Sequence, residues 1–314
     1  MRATGAVRRR AGGVFFGWWI VAGAMALQAL QLGLLSQAYG VYIAALQAEF
    51  GWSRTAFSLA AAAQRAESGL LGPVQGWLVD RYGPRAVMRV GTVIFGVGFM
   101  LFSRIDALPA FFGTFLLMAL GSSIAGFMPL ITTVAQWFDR RRATAIGVMQ
   151  TGMGLGGLLV PLVAWSLAAH SWRATAFASG VLIIVAGLPL CQVMRRRPED
   201  YGEVPDGRGA RAGAARAAPG APARRDAPRE RVEFTSREAL RTPAFWFLSC
   251  AHAAALLVVS ALQVHLVLHL TGGLGFSLQR AAGIFALMTA VTMLGQLGGG
   301  FLGDRLNMRL LLAA

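Results

Sequence analysis

Mostly apolar windows recur along the chain, at about Gly17–Tyr39, Ala56–Val79, Ala86–Phe102, Leu108–Val134, Ala143–Leu167, Ala174–Met194, Pro243–Leu268 and Ala281–Leu302. A helix needs roughly 20 apolar residues to cross a bilayer core, and most of these windows are that long. They lack the alternating pattern of a β-barrel, and backbone in hydrocarbon has to hydrogen-bond within itself, so the pattern predicts helices. Ala86–Phe102 is the weakest window, because it needs Arg89 to snorkel toward the headgroups. The expected fold class is all-α, a polytopic membrane protein.

Short connections join the first six windows. The pattern then stops between Arg195 and Arg241, a stretch rich in Ala, Arg, Gly and Pro with no apolar period, which predicts a disordered basic linker. The organisation expected is a six-helix bundle over residues 1–194, the linker over 195–241, and the start of a second bundle (spans 7, 8 and the beginning of 9) over 242–314. The N-terminal MRATGAVRRR followed by an apolar stretch superficially resembles a secretory signal. Its apolar part exceeds the ~7–15 residues of a signal core and runs into a full span, so it is read as a retained first helix.

Composition supports this and adds an orientation. Only 14% of the 314 residues are charged, where a soluble domain carries about 25%. The net charge of +15 comes entirely from Arg, with no Lys in the sequence. Apart from Arg54, Arg65, Arg104, Arg173 and Arg280, every one falls in segments that alternate on a single side of the membrane. That asymmetry places the N-terminus and those segments in the cytoplasm, and assigns the charge to orientation and anionic membrane lipids, not to nucleic acid. Without Lys there is no Walker A lysine and no Schiff-base chemistry. The two cysteines, Cys191 and Cys250, are read as free thiols, and no cofactor or metal is expected.

Two segments repeat each other. QGWLVDRYGPR (Gln75–Arg85) and GGFLGDRLNMR (Gly299–Arg309) align Gly76 with Gly300, Asp80 with Asp304, Arg81 with Arg305 and Arg85 with Arg309. Gly83 permits a tight turn, and Asn307, which also tolerates a left-handed backbone, stands in its place in the second copy. Gly76 is expected to let helices approach closely. Asp80 is placed to pair with a cation or a helix N-terminus. A merely charged turn explains one copy but not two at equivalent positions.

The first copy resembles the G-x-x-x-D-R-x-G-x-R signature of the major facilitator superfamily, whose two six-helix repeats are related by an axis along the membrane normal. The flanks FFGWW, EFGWSR, WFDRRRATAIG, RRRPEDYGEVPDG and TPAFWF look like its bacterial monocarboxylate/oxalate–formate branch. The resemblance implies twelve helices, of which about eight are present here, and so a C-terminally truncated chain. It further implies that the motif residues Gly76, Asp80, Arg81, Gly83 and Arg85, with Gly300, Asp304, Arg305 and Arg309, latch one conformation. The implied function is secondary transport of a small organic anion, with a proton or by exchange, in a bacterial inner membrane. One departure matters. The branch commonly carries an Arg eight residues before the motif Asp, as countercharge for a carboxylate, and this chain has Gln296 there.

Other residues offer substitutes. Arg65 and Glu67 fall near mid-membrane in span 2, where an Arg costs roughly 2.5–3.5 kcal/mol on insertion scales, which points to a function. Two residues apart on a helix, they lie about 200° around it and do not face each other. One reading makes Arg65 the anion site and Glu67 the proton carrier; the other makes them interhelical bridges. Gln28, Gln31, Tyr39 and Tyr42 form a polar stripe that either lines a cavity or glues helices together. Gly72 and Gly76, like Gly152, Gly154, Gly156 and Gly157, are read as close helix packing. His265 and His269 are four apart, without a third ligand for a metal; His265 is kept as a gating or substrate contact.

An enzyme is not expected, because no nucleophile–base–metal constellation is present. Two alternatives to anion transport stay open. One is an exporter of hydrophobic compounds, although the Gly-Pro element that such exporters tend to carry in span 5 is missing, Pro161 following Val160. The other is a truncated membrane protein that does not transport.

Overall fold

The computed structural model describes residues 15–207 and 236–306, without the side chains of Ser236 and of several positions between 260 and 289. Arg309 and the side chain of His265 therefore lie outside the described residues, as does the linker expectation for 208–235.

The chain divides into two compact units, one comprising Met1–Ala212 with Met293–Ala314 and the other Gly213–Thr292. The first unit opens with α1 (Phe16–Gln31), a π-helical segment (Leu32–Gln37) and α2 (Tyr39–Phe50), which form one rod. Then follow α3 (Arg54–Tyr82), α4 (Pro84–Phe102), α5 (Leu108–Ala125) with α6 (Phe127–Trp137), α7 (Arg142–Gly157) with α8 (Leu159–Ala169), and α9 (Trp172–Val193). Ser53 and Ser171 start α3 and α9 by accepting from Ala56 N (3.3 Å) and Ala174 N (3.1 Å), donors that the first helical turn otherwise leaves unpaired. Between α3 and α4 the chain turns at Gly83, whose φ of 81° suits glycine, and Pro84 opens α4 where no N–H is needed.

The second unit contains α10 (Ser236–Leu240), α11 (Pro243–Leu268), a π-helical turn (His269–Gly273) and the first part of α12 (Leu278–Gly303). Trp246 Nε1 donates to Leu240 O at 3.0 Å and closes the corner between α10 and α11.

Within the first unit, α4 packs on α5 and α9, and α1 on α7. One core cluster, built around Phe95, Phe99, Phe102, Phe111, Phe115 and Trp172, fills the end where α2 meets α3. The other, around Trp137, Phe138, Met149 and Met194, fills the end that carries the arginine-rich corners. At the first end Arg173 donates to Glu49, to Asp106 (3.1 Å) and to Ile105 O (3.3 Å), tying three corners together.

Among the described residues, five rods are long and apolar enough to span a membrane: Phe16–Phe50, Pro84–Phe102, Leu108–Trp137, Arg142–Ala169 and Trp172–Val193. The protein is an all-α, multi-pass membrane protein. The window thought weakest is among the five by length and composition, and its Arg89 donates to Gln192 on α9. Instead α3 falls short of that standard, since it carries Arg65, Glu67, Asp80 and Arg81 along its length. Two further expectations change. Residues 195–207 do not dangle but form two 3₁₀ turns (Glu199–Tyr201 and Pro205–Gly207). Gly72 and Gly76 have no described atom within 4 Å of where a Cβ would sit, so among the described residues nothing packs closely on that face of α3, whereas Gly152 and Gly156 lie against the backbone of α1 and Gly33.

Candidate functional site

The fourth rod is broken in mid-course. At Gly126 the backbone leaves the helix (φ −92°, ψ −135°), separating α5 from α6. Three residues on stands Pro129, which has no N–H, so the carbonyl of Ala125 cannot be paired in helical fashion. Gln31 Nε2 supplies the missing donor, reaching Ala125 O at 3.3 Å from a side chain only 3% exposed. On the other side of the break, Ser123 Oγ donates to Glu67 Oε2 at 3.4 Å. Glu67 Oε1 is buried and has no hydrogen-bond partner among the described residues. The break thus gathers an amide, a hydroxyl and a carboxylate from three rods at mid-span.

The polar stripe of the first rod does not face one cavity. Gln28 donates to Gln150 of α7 (3.0 Å), Gln31 to the break, Tyr39 to Phe57 O of α3 (2.7 Å), and Tyr42 shares a hydrogen bond with Ser179 of α9 (3.3 Å). The π-helical segment Leu32–Gln37 sits between Gln31 and Tyr39, and its wider turn shifts the phase of every residue after it. Arg65 is exposed and forms no ion pair with Glu67, in keeping with their angular separation.

A second constellation lies at the arginine-rich end. Asp304, at the end of α12, caps the N-terminus of α7: Oδ1 accepts from Ala143 N and Oδ2 from Thr144 N, each at 2.8 Å. These are amides that the helix leaves unpaired, and the carboxylate also meets the positive end of the helix dipole. The fit depends on two glycines. A Cβ on Gly300 would lie 2.7 Å from Ala143 O, and one on Gly147 would lie 2.6 Å from Gln296 O. Beside this contact runs a groove of about 750 Å³ lined by Arg140, Arg142, Ile146, Gln150, Gln296 and Asp304, among others. Gln296 Oε1 is buried there without a partner among the described residues.

The first motif copy is occupied differently. The carboxylate of Asp80 is exposed, while its backbone carbonyl accepts from Arg196 Nη2 at 2.5 Å. Arg85 Nε donates to Met194 O (3.2 Å), and Arg81 lies over Trp77 and Tyr82. In the second copy Arg305 stacks over Phe301 at 3.8 Å. Sequence reasoning missed Ser123, Gln150 and Asp206, whose carboxylate accepts from Asp139 N and Arg140 N. The first two are ordinary helix residues without a spacing signal; the third sits in a Pro-Asp-Gly turn, 66 and 67 residues from its partners.

A model of the major facilitator superfamily matches residues 12–314. Over 176 residues, 56% of this chain and 40% of the relative, it is 28% identical to monocarboxylate transporter 13 of Bos taurus. Over 182 residues, again 56% of this chain but 36% of the relative, it is 34% identical to human monocarboxylate transporter 11. Similarity to the membrane sensor protein UhpC of Salmonella typhimurium, at 29% identity, extends over 237 residues, 74% of this chain and 52% of the relative. The chain thus spans about half or less of the length of these relatives. With the helical repertoire, the twin motif and a family match over nearly its whole length, the chain belongs to the major facilitator superfamily.

Proposed function

We propose that this protein works in secondary active transport of a small organic anion of the monocarboxylate kind, by alternating access, with proton coupling or exchange. The observation that carries the reading is the Asp304 cap on α7. It joins the second motif copy to the six-helix repeat through two charged hydrogen bonds that form and break without a covalent step. A gate of that kind is what alternating access requires.

In this reading Arg65 is the anion contact, and Gln296 replaces a countercharge with a hydrogen-bonding amide. Glu67, with one oxygen unpartnered at mid-span, takes up and releases the proton. Gln28, Gln31 and Tyr39 hold the rods that carry these groups, and His265 is kept as a substrate contact. The Arg-rich end faces the cytoplasm, in a bacterial inner membrane, beside anionic lipids. The monocarboxylate relatives support the substrate class.

The test is uptake of radiolabelled monocarboxylates into proteoliposomes. The reading expects saturable uptake that Arg65→Ala abolishes and that loses its pH dependence in Glu67→Gln. Unchanged uptake in Arg65→Ala removes that residue from the site, and no uptake by folded protein across the panel contradicts transport. A second reading, a sensor that binds without transporting, draws on the similarity to a membrane sensor protein over 74% of this chain. It predicts ligand-induced thermal stabilisation with no uptake.

A further inference from the structure

The segment that follows α9 grips both arginine-rich corners of the six-helix repeat. At its start, Met194 O accepts from Arg85 Nε (3.2 Å) and Arg196 donates to Asp80 O, which fastens it to the first motif. Next, Arg195 is held between the rings of Phe16 (3.8 Å) and Tyr201 (4.3 Å), and its carbonyl accepts from Trp137 Nε1 at 3.0 Å. At its far end, Asp206 Oδ2 accepts from Asp139 N (3.2 Å) and Arg140 N (2.8 Å).

Those two amides begin the turn whose next two residues, Arg141 and Arg142, lead to Ala143 and Thr144. One six-residue corner, 139–144, is therefore held by two aspartates from outside it. Asp206 holds its first half and Asp304 its second half. Asp206 adopts a left-handed backbone (φ 63°, ψ 9°), a conformation costly for most side chains and tolerated best by Gly, Asn and Asp. It persists here with its carboxylate clamped on the corner.

We propose that Asp206 is a positioning residue for the gate: the strap 194–207 holds the α6–α7 corner in the one arrangement in which Asp304 reaches both amides of α7. The inference rests on reading the Asp304 contact as a gate. Through the strap, the corner that receives the second motif is tied to the corner that bears the first. Binding free energies are reciprocal, so releasing either aspartate loosens the grip of the other.

Amide hydrogen exchange at single-residue resolution on the full chain tests this without any substrate. Asp206→Gly removes the carboxylate but keeps the left-handed backbone; Asp206→Asn keeps one acceptor oxygen and serves where the glycine variant does not accumulate. Exchange at Asp139 and Arg140 is expected to rise about tenfold in Asp206→Gly, the scale of one lost charged hydrogen bond, and exchange at Ala143 and Thr144 about fivefold. Asp304→Ala is expected to raise exchange at Ala143 and Thr144 directly and at residues 139–140 through the corner. A rise confined to 139–140 in Asp206→Gly overturns the proposal and leaves the gate standing. No rise at 143–144 in Asp304→Ala removes the gate, and the proposal with it.

Discussion

Removing the Asp304 carboxylate is the sharpest perturbation the structure offers. The group is half-buried, makes two 2.8 Å hydrogen bonds to unpaired amides, and sits on the positive end of a sixteen-residue helix. A charge at a helix N-terminus contributes up to ~2 kcal/mol in partly buried geometry, and hydrogen bonds to charged groups ~1.5–3 kcal/mol each. These terms overlap, because the dipole is largely the same amides, so we take about 2–3 kcal/mol for the pair. That corresponds to a shift of roughly 30- to 150-fold in the equilibrium between gripped and released states. Ile146 lines the groove beside the contact and is only partly exposed. With Cys250→Ser as background (Cys191 is fully buried), Ile146→Cys reports release through its rate of reaction with an impermeant maleimide. Asp304→Ala should raise that rate by more than tenfold, and Asp304→Asn, which keeps one acceptor, by less. A rate that stays within twofold in folded Asp304→Ala protein would refute the reasoning.

Further outcomes follow from the same contacts. Gly300→Ala puts a Cβ 2.7 Å from Ala143 O, an overpacking worth about 1–3 kcal/mol, and should raise Ile146→Cys labelling with the aspartate still present. Arg173→Ala removes the donor shared by Glu49, Asp106 and Ile105 O; with its side chain 38% exposed, solvent screening limits the loss to about 1 kcal/mol, read as a small fall in thermal midpoint that shrinks at high salt. Gln31→Leu leaves Ala125 O unpaired at the break and should destabilise by about 1–3 kcal/mol in thermal unfolding; Gln31→Glu should rescue only at pH low enough to protonate it, because the ionised carboxylate accepts and does not donate.

The rods were legible from apolar windows because a lipid-facing helix has no other way to satisfy its backbone. Their weak member was misjudged: Arg89 counted against span 3, yet a partner on α9 absorbs it, while the charges of α3 were discounted as function. The twin motif was legible as spacing, and Asp304 behaves as a capping acid at a helix N-terminus. What the sequence hid was phase and partnership. A π-helical segment is not marked by composition, so the stripe from Gln28 to Tyr42 looked continuous when its members meet four different neighbours. The break at Gly126 was not readable from Pro129, since Pro73 and Pro189 sit inside unbroken helices, and neither was the identity of its donor, 94 residues away.

The most direct test of the account couples ligand to gate. A ligand shifts an equilibrium only if it binds one state better than the other. Maleimide labelling of Ile146→Cys should therefore change when lactate, pyruvate or oxalate is added at saturating concentration, and Arg65→Ala should abolish that response. If none of the carboxylates moves the rate while the Asp304→Ala variant does, the gate exists but serves no organic anion of this class, and the proposed function is contradicted.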